Sequence, residues 1–268
     1  MQKFIREVWP DVLAEFQNRC QNSLEVQTAY REGTPVPPVL LQEGLTVHAG
    51  HHDPIPFMLY EIFVQECYTC GGFYSPAPEH TVLDVGANVG LFTLWLSARA
   101  PGIRVHCFEP AADTRERLMQ NVIANCPADA VAVHPFAIFN DSTSKELKEG
   151  RSTGECSFYV SHNVREDAAL EKVDCITLAT ALQFADADRI DLLKIDAEGA
   201  ELEILASVGQ STMDRIERIS LEYHEAIRPG SLAKILGVLE ARGFTTFVET
   251  DARYGEDFGI GIVKASRS

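Results

Sequence analysis

Thr81-Val82-Leu83-Asp84-Val85-Gly86-Ala87-Asn88-Val89-Gly90, running on into Leu91-Phe92-Thr93-Leu94, decides how this chain is read. A short apolar run carries an acid near its end, breaks at a glycine and opens straight into a second apolar run. That is the strand–turn–helix junction of a doubly wound α/β protein, where backbone comes close to a nucleotide-like ligand. Gly86 and Gly90 are expected to tighten the turn and to admit the ligand where a Cβ would clash. Asn88 tolerates an unusual backbone angle and is a good helix N-cap. Arg104-Val105-His106-Cys107-Phe108-Glu109 reads as the next strand, and an acid at its end is suited to gripping the two hydroxyls of a ribose.

The spacing selects among nucleosides. A dinucleotide turn needs G-x-G-x-x-G, with room for the pyrophosphate and for close helix packing. Here Asn88 stands in place of the second glycine and Leu91 in place of the third. The turn therefore suits a cofactor without phosphates, such as S-adenosylmethionine. Val82 through Gly90, Cys107-Phe108-Glu109-Pro110, and Leu193-Lys194-Ile195-Asp196-Ala197-Glu198-Gly199-Ala200-Glu201 together resemble the FkbM family of S-adenosylmethionine-dependent methyltransferases. The stretch around Leu118, Asn121 and Asn125, and Glu222-Tyr223-His224, fit the same pattern. The resemblance covers about residues 55 to 264. It implies a class I methyltransferase fold, S-adenosylmethionine as methyl donor, and usually a hydroxyl acceptor on a sugar or natural product.

The pattern around this core is an α/β alternation. Strands are expected at 81–85, 104–108, 131–135, 190–195, 216–222, 244–249 and 259–264, with helices near 89–99, 112–125, 199–208 and 230–242. The last helix shows Leu232, Ile235, Leu236 and Leu239 on one face and stops at Gly243. Such alternation predicts a Rossmann-like, doubly wound, seven-stranded and mostly parallel sheet. Between 136 and 180 it lapses, and 155–160 with 172–177 read as a small hairpin inserted over the ligand face. Residues 1–54 form a helical N-terminal extension to a methyltransferase domain at 55–268. In it Phe4, Ile5, Val8, Trp9, Val12, Leu13 and Phe16 fall at helical spacing, predicting an amphipathic helix over 3–19. That face suits covering the core, capping the site or building a homodimer.

Strands of such a sheet deliver ligand-binding residues at their carboxyl ends. Asp84, Gly86, Asn88, Gly90, Phe108, Glu109, Ala137 and Asp196 are the candidate cofactor-binding residues, with Phe108 and the Ala137 backbone beside the adenine. His224, Glu222 and Asp196 are the candidate catalytic residues. Methyl transfer is an in-line displacement that removes a proton from the acceptor, and a histidine, with an ordinary pKa near 6.5, is a natural base. Asp196, Glu198, Glu201 and Glu222 raise a divalent ion as an alternative, but acids at a helix start are favoured by the free amides there, so no metal ligand is assigned. Glu201 is expected to cap or to form an ion pair, and Lys194 to make a structural ion pair.

The formal charge of −16 and pI near 4.9 argue against nucleic acid and against anionic membranes as partners. A small-molecule substrate is expected instead. No apolar stretch is long enough to cross a bilayer, the first residues lack a signal peptide's apolar centre, and seven cysteines read as reduced thiols, so a cytoplasmic location is expected. Cys67-Tyr68-Thr69-Cys70 and the His48, His51, His52, Asp53 cluster each invite a redox or metal role, but local packing and a solvated loop are the expectation. The acceptor is expected to be a hydroxyl. Alternatives are N-methylation of an amide or carbamoyl group, or a binding protein without turnover; a nicotinamide-dependent oxidoreductase is disfavoured by the glycine spacing.

Overall fold

The structure is a computed structural model that describes residues 8–148, 150, 156–159, 169–250 and 259–267. Helices α1 (Trp9–Arg19) and α2 (Ser23–Glu32) lead to a ribbon of β1 (Val39–Leu40) and β2 (Thr46–Val47), then to α3 (Ile55–Leu59), which runs into a π-turn at Tyr60–Val64. The central alternation follows as β3 (Thr81–Val85), α4 (Leu91–Arg99), β4 (Arg104–Phe108), α5 (Ala112–Asn125) and β5 (Val131–His134). Next come β6 (Phe136–Phe139), β7 (Ser144–Lys148), β8 (Leu170–Thr177) and α6 (Leu178–Phe184). The chain closes with β9 (Leu192–Ile195), α7 (Glu201–Ala206), α8 (Gln210–Met213), β10 (Arg218–His224), α9 (Ser231–Ala241), β11 (Thr245–Glu249) and β12 (Ile260–Ser266).

Seven of these strands make one sheet in the order β11-β12-β10-β9-β3-β4-β5. All neighbours are parallel except β12, which runs against both β10 and β11. β3 sits centrally and every one of its residues is buried, as a strand covered on both faces requires. From β3 the chain steps outward through β4 and β5, then returns to the other side of β3 as β9. That reversal opens a crevice at the carboxyl ends of β3, β4 and β9.

The lapse after residue 135 has a local cause. Pro135 has no N–H to continue a ladder, so the strand expected over 131–135 ends at His134. The chain then changes sheets: β6, β8 and β7 form a separate three-stranded sheet in that order, β6 parallel and β7 antiparallel to β8. The expected hairpin is thus corrected. Residues 170–174 pair with 144–148 and 174–177 with 136–139, while Ser157 makes an isolated bridge to Lys148; Glu155 and Val160 lie outside the described residues.

The N-terminal segment shares the main core. Phe16 and Val26 belong to one apolar cluster with Leu91, Leu94 and Trp95, and Val8 and Val12 pack with Tyr60. Phe4 and Ile5 of the predicted helix lie outside the described residues. Val8, Val12 and Phe16 are all buried within the chain, so this part of the helix face covers the core. Two amides on α5 dock the ribbon: Asn121 accepts from His48 N–H at 2.6 Å and donates to His48 and Val89 carbonyls, while Asn125 pairs in the same two-way manner with Thr46. Asp53 is buried against Arg117 of α5 at 2.9 Å, and His51 stacks on Tyr30. All seven cysteines are free thiols. Among the described residues no helix is long and apolar enough to cross a membrane.

Candidate active site

The cleft at the crevice is walled by the turn after β3 (Gly86, Asn88), the end of β4 (Phe108, Glu109, Pro110), the small sheet (Ala137, Ile138, Leu147) with Phe158, and the segment after β9 (Asp196, Ala197, Glu198). Of the eight candidate cofactor residues, six line it. Asp84 and Gly90 are not part of its wall.

Packing within the protein, more than a ligand, explains both glycines. A Cβ on Gly86 would stand 1.8 Å from the Asp196 carbonyl oxygen, so β3 and β9 can converge here only through glycine. A Cβ on Gly90 would meet Leu118 Cδ1 at 2.5 Å, where α4 packs on α5. Both residues also have positive φ, 70° and 90°. Asn88 has φ 51°, but the N-cap of α4 is Gly90, and the Asn88 side chain accepts from the neighbouring Val89 N–H instead. The expectation of Asn88 as cap is corrected.

Glu109 is buried and accepts backbone N–H bonds from Asn88 (3.0 Å) and Ala111 (2.9 Å). It thereby ties the β3 turn to the start of α5. Burial pushes its carboxyl up to about 7, against the pull of those two amides. Phe108 is held by stacking on His134 at 4.7 Å, presenting an immobile wall.

Beneath the turn lies a buried ion cluster. Lys194 Nζ stands 3.3 Å from Asp84 and 3.7 Å from Asp196, and donates to the Gly86 carbonyl at 2.8 Å. Burial works against its charge, but Asp84 and Asp196 outweigh burial and hold its pKa above the usual value. Asp84, which also accepts from Thr93 at 2.9 Å, therefore shapes the turn from below through Lys194.

Asp196, Glu198 and His224 come together on the far side, with one ligand-capable atom from each within 4.8 Å of the others. His224 is buried. Its Nδ1 is 2.9 Å from Glu201 Oε1, and its Nε2 is 3.5 Å from Glu198 Oε2. Burial disfavours the imidazolium, yet Glu198 and Glu201 together raise its pKa well above 6.5. The ring is thus held between two carboxylates, one on each nitrogen. Glu201 Oε1 also accepts from the Ala197 and Gly199 N–H groups of the loop before α7, so that of capping and ion pairing, the two roles expected of it, the structure shows the pair with His224.

Tyr68 completes the group. Its hydroxyl lies 3.0 Å from Asp196 Oδ2 and 3.1 Å from Glu222 Oε2. A phenol has one proton, so it donates to one carboxyl and accepts from the other. Burial, then Asp196, pushes Glu222 up to about 8, which makes Glu222 the protonated donor and Asp196 the acceptor. Glu222 belongs to a second cavity of about 310 Å³ with Glu61, Cys67, Cys70 and Glu249 in its wall. The Tyr68 bridge thus stands between the two spaces.

Comparison with known proteins agrees with this geometry. Residues 84–246 match the Methyltransferase FkbM domain. The 31-O-demethyl-FK506 methyltransferase FkbM of Streptomyces tacrolimicus is 30% identical over 240 residues, covering 79% of this chain and 90% of that protein. This chain belongs to the FkbM methyltransferase family. The AMB antimetabolite synthetase AmbE of Pseudomonas aeruginosa is 32% identical over 248 residues, 79% of this chain but only 12% of the far longer synthetase. A crystal structure of methyltransferase FkbM from Methylobacillus flagellatus shares the fold, with a TM-score of 0.53 at 13% identity over 98% of this chain and 59% of that one. The order and direction of the seven strands are those of a class I methyltransferase.

Sequence reasoning missed three features of this FkbM-family site. Tyr68 hid inside the Cys67–Cys70 motif, whose cysteines drew the attention. Leu147 comes from β7 of the small sheet, where no periodicity announced a wall. The second cavity joins residues near 61–70 to β10 and β12, a pairing that no local pattern encodes.

Proposed function

We propose that this FkbM-family methyltransferase uses S-adenosylmethionine to methylate a hydroxyl of a small molecule such as a sugar or natural product. The observation that carries the reading is the cleft itself. It sets a buried carboxyl at the end of β4, and a turn that lacks the three-glycine pyrophosphate fingerprint, beside a carboxylate–histidine cluster.

The cleft suits that cofactor by its own chemistry. Glu109 has lone pairs beyond the two amide bonds it accepts, as a ribose diol requires; Phe108, Ala137 and Ile138 supply an apolar slot for a base; and the half-buried Asp196 and Glu198 favour a cation. S-adenosylmethionine supplies a methyl group on a sulfonium, open to in-line attack by an oxygen nucleophile. As the C–O bond forms and the C–S bond breaks, the acceptor's proton must leave. Asp196 is the acceptor end of the Tyr68 bridge and is placed in the cleft wall to receive it, while Glu222 and Tyr68 keep that carboxylate oriented. His224, locked by Glu201, positions Glu198 rather than shuttling the proton. The second cavity behind Tyr68 is the space we assign to the acceptor.

The relatives support the class of acceptor by their names, one a methyltransferase of 31-O-demethyl-FK506 and one, in Haloferax volcanii, of a hexuronic acid. Asp196→Asn is the direct test of the reading: cofactor-product binding within a fewfold of wild type, and transfer to hydroxylated acceptors slowed by about 10²-fold or more. Full activity in that variant would remove Asp196 from the proton's path.

A further inference from the structure

Glu201 Oε1 accepts from three donors at once, Ala197 N–H at 3.2 Å, Gly199 N–H at 3.0 Å and His224 Nδ1 at 2.9 Å. An acceptor so used fixes the proton of the imidazole on Nδ1. Nε2 is then left facing Glu198 Oε2 across 3.5 Å, too wide for a good N–H···O bond, which prefers 2.7–3.2 Å. A neutral ring would set a lone pair against a carboxylate there. Something positive belongs between them, and the choice is a proton or a metal ion. Asp196 brings a carboxylate oxygen to within 4.8 Å of the ligand-capable atoms of both Glu198 and His224.

We propose that Asp196, Glu198 and His224 form a binding site for one divalent cation, open to the cleft. Two carboxylates and an imidazole suit a first-row ion such as Mn²⁺, which takes a nitrogen ligand beside oxygens, better than Mg²⁺, which prefers oxygen alone. Glu201 supplies the outer-shell support that a metal-bound histidine needs, a carboxylate on the opposite ring nitrogen. The side chains of Asp196 and Glu198 are 24% and 20% exposed while His224 is buried, so the unfilled positions of such an ion would face the cleft and be free for a water or a hydroxyl. The site stands on geometry alone. Its catalytic use, lowering the pKa of an acceptor hydroxyl so that its proton can leave to water in the cleft, rests on the methyl-transfer reading above.

The test is titration of chelator-stripped full-length protein with MnCl₂, followed by calorimetry and by the electron paramagnetic resonance signal of free Mn²⁺. One ion per chain is expected, with affinity at least 10-fold weaker in Glu198→Gln and 10–100-fold weaker in Glu201→Gln, which touches the ring and not the ion. Proton release on binding should accompany the wild-type signal. No saturable 1:1 binding, or equal binding in wild type and Glu198→Gln, would overturn the site and leave the gap to a proton. Melting curves and S-adenosylhomocysteine titration of each variant show whether it is folded. The same titration separates two failures: nucleoside binding without Mn²⁺ binding removes the metal and keeps the methyltransferase reading, and the reverse outcome does the opposite.

Discussion

Glu109 is a carboxyl pulled two ways: two amide N–H groups favour its charge, and burial, the stronger influence, pushes it up to about 7. Ribose hydroxyls donate, so they need the ionised form. S-adenosylhomocysteine should therefore bind more tightly at pH 8 than at pH 6 by calorimetry, and Glu109→Gln should flatten that dependence. Glu109→Ala should weaken binding about 10–100-fold, the worth of hydrogen bonds to a charged group. The two glycines make a second residue-scale prediction. Gly86→Ala forces a Cβ against the Asp196 carbonyl, which cannot yield without moving β9; Gly90→Ala meets only the end of the Leu118 side chain. Denaturant melts should show Gly86→Ala losing about 3 kcal/mol or more and Gly90→Ala about 1–2 kcal/mol, the left-handed backbone penalty plus a methyl's displacement. Equal losses would mean that the turn, and not the β3–β9 approach, sets the requirement.

At the scale of elements, α5 holds the N-terminal ribbon through Asn121 and Asn125, whose amides mimic a neighbouring strand. Asn121→Ala strands the His48 N–H and the carbonyls of His48 and Val89. It should cost about 2–3 kcal/mol and, by hydrogen exchange, unprotect residues near 46–48 before the central sheet. The centre of the sheet was legible because β3 and β9 are short, nearly continuous apolar runs followed by a glycine or an acid, as strands covered on both faces are. The small sheet was not. β7, Ser144-Lys145-Glu146-Leu147-Lys148, is largely charged and partly exposed, and its pairing with β8 spans a long connection that local sequence cannot specify. α6 carried a start signal in Thr177, whose hydroxyl accepts from Thr180 N–H, but the strand before it runs up to that same residue and masked it. Glu109, Asp196 and His224 could be placed at one rim from strand ends alone. Which of them carries protons could not, because that depends on Tyr68 and Glu201 reaching them from elsewhere in the fold.

For the whole molecule, the active-site acids set the response to pH. Glu109 and Glu222 have folded-state values of about 7 and 8, above the ordinary carboxyl range they return to on unfolding. Groups raised in this way contribute stability that is complete below about pH 4.5 and lost as pH rises through 7 and 8. His224, also raised, acts in the same direction. The melting temperature should thus fall between pH 5.5 and 8.5, with a shallower slope in Glu222→Gln; a flat or rising wild-type profile would show that these acids are not buried as described. In the molecule as a whole, a cleft at the carboxyl ends of β3, β4 and β9 and a second cavity lie on either side of Tyr68. Calorimetric titration of the full chain with S-adenosylhomocysteine, beside NAD and beside Glu109→Ala, tests the nucleoside reading of the cleft most directly. Micromolar 1:1 binding of S-adenosylhomocysteine, lost by at least tenfold in Glu109→Ala and absent with NAD, is the predicted result. Binding of NAD instead, or no binding of S-adenosylhomocysteine by folded protein, would contradict it.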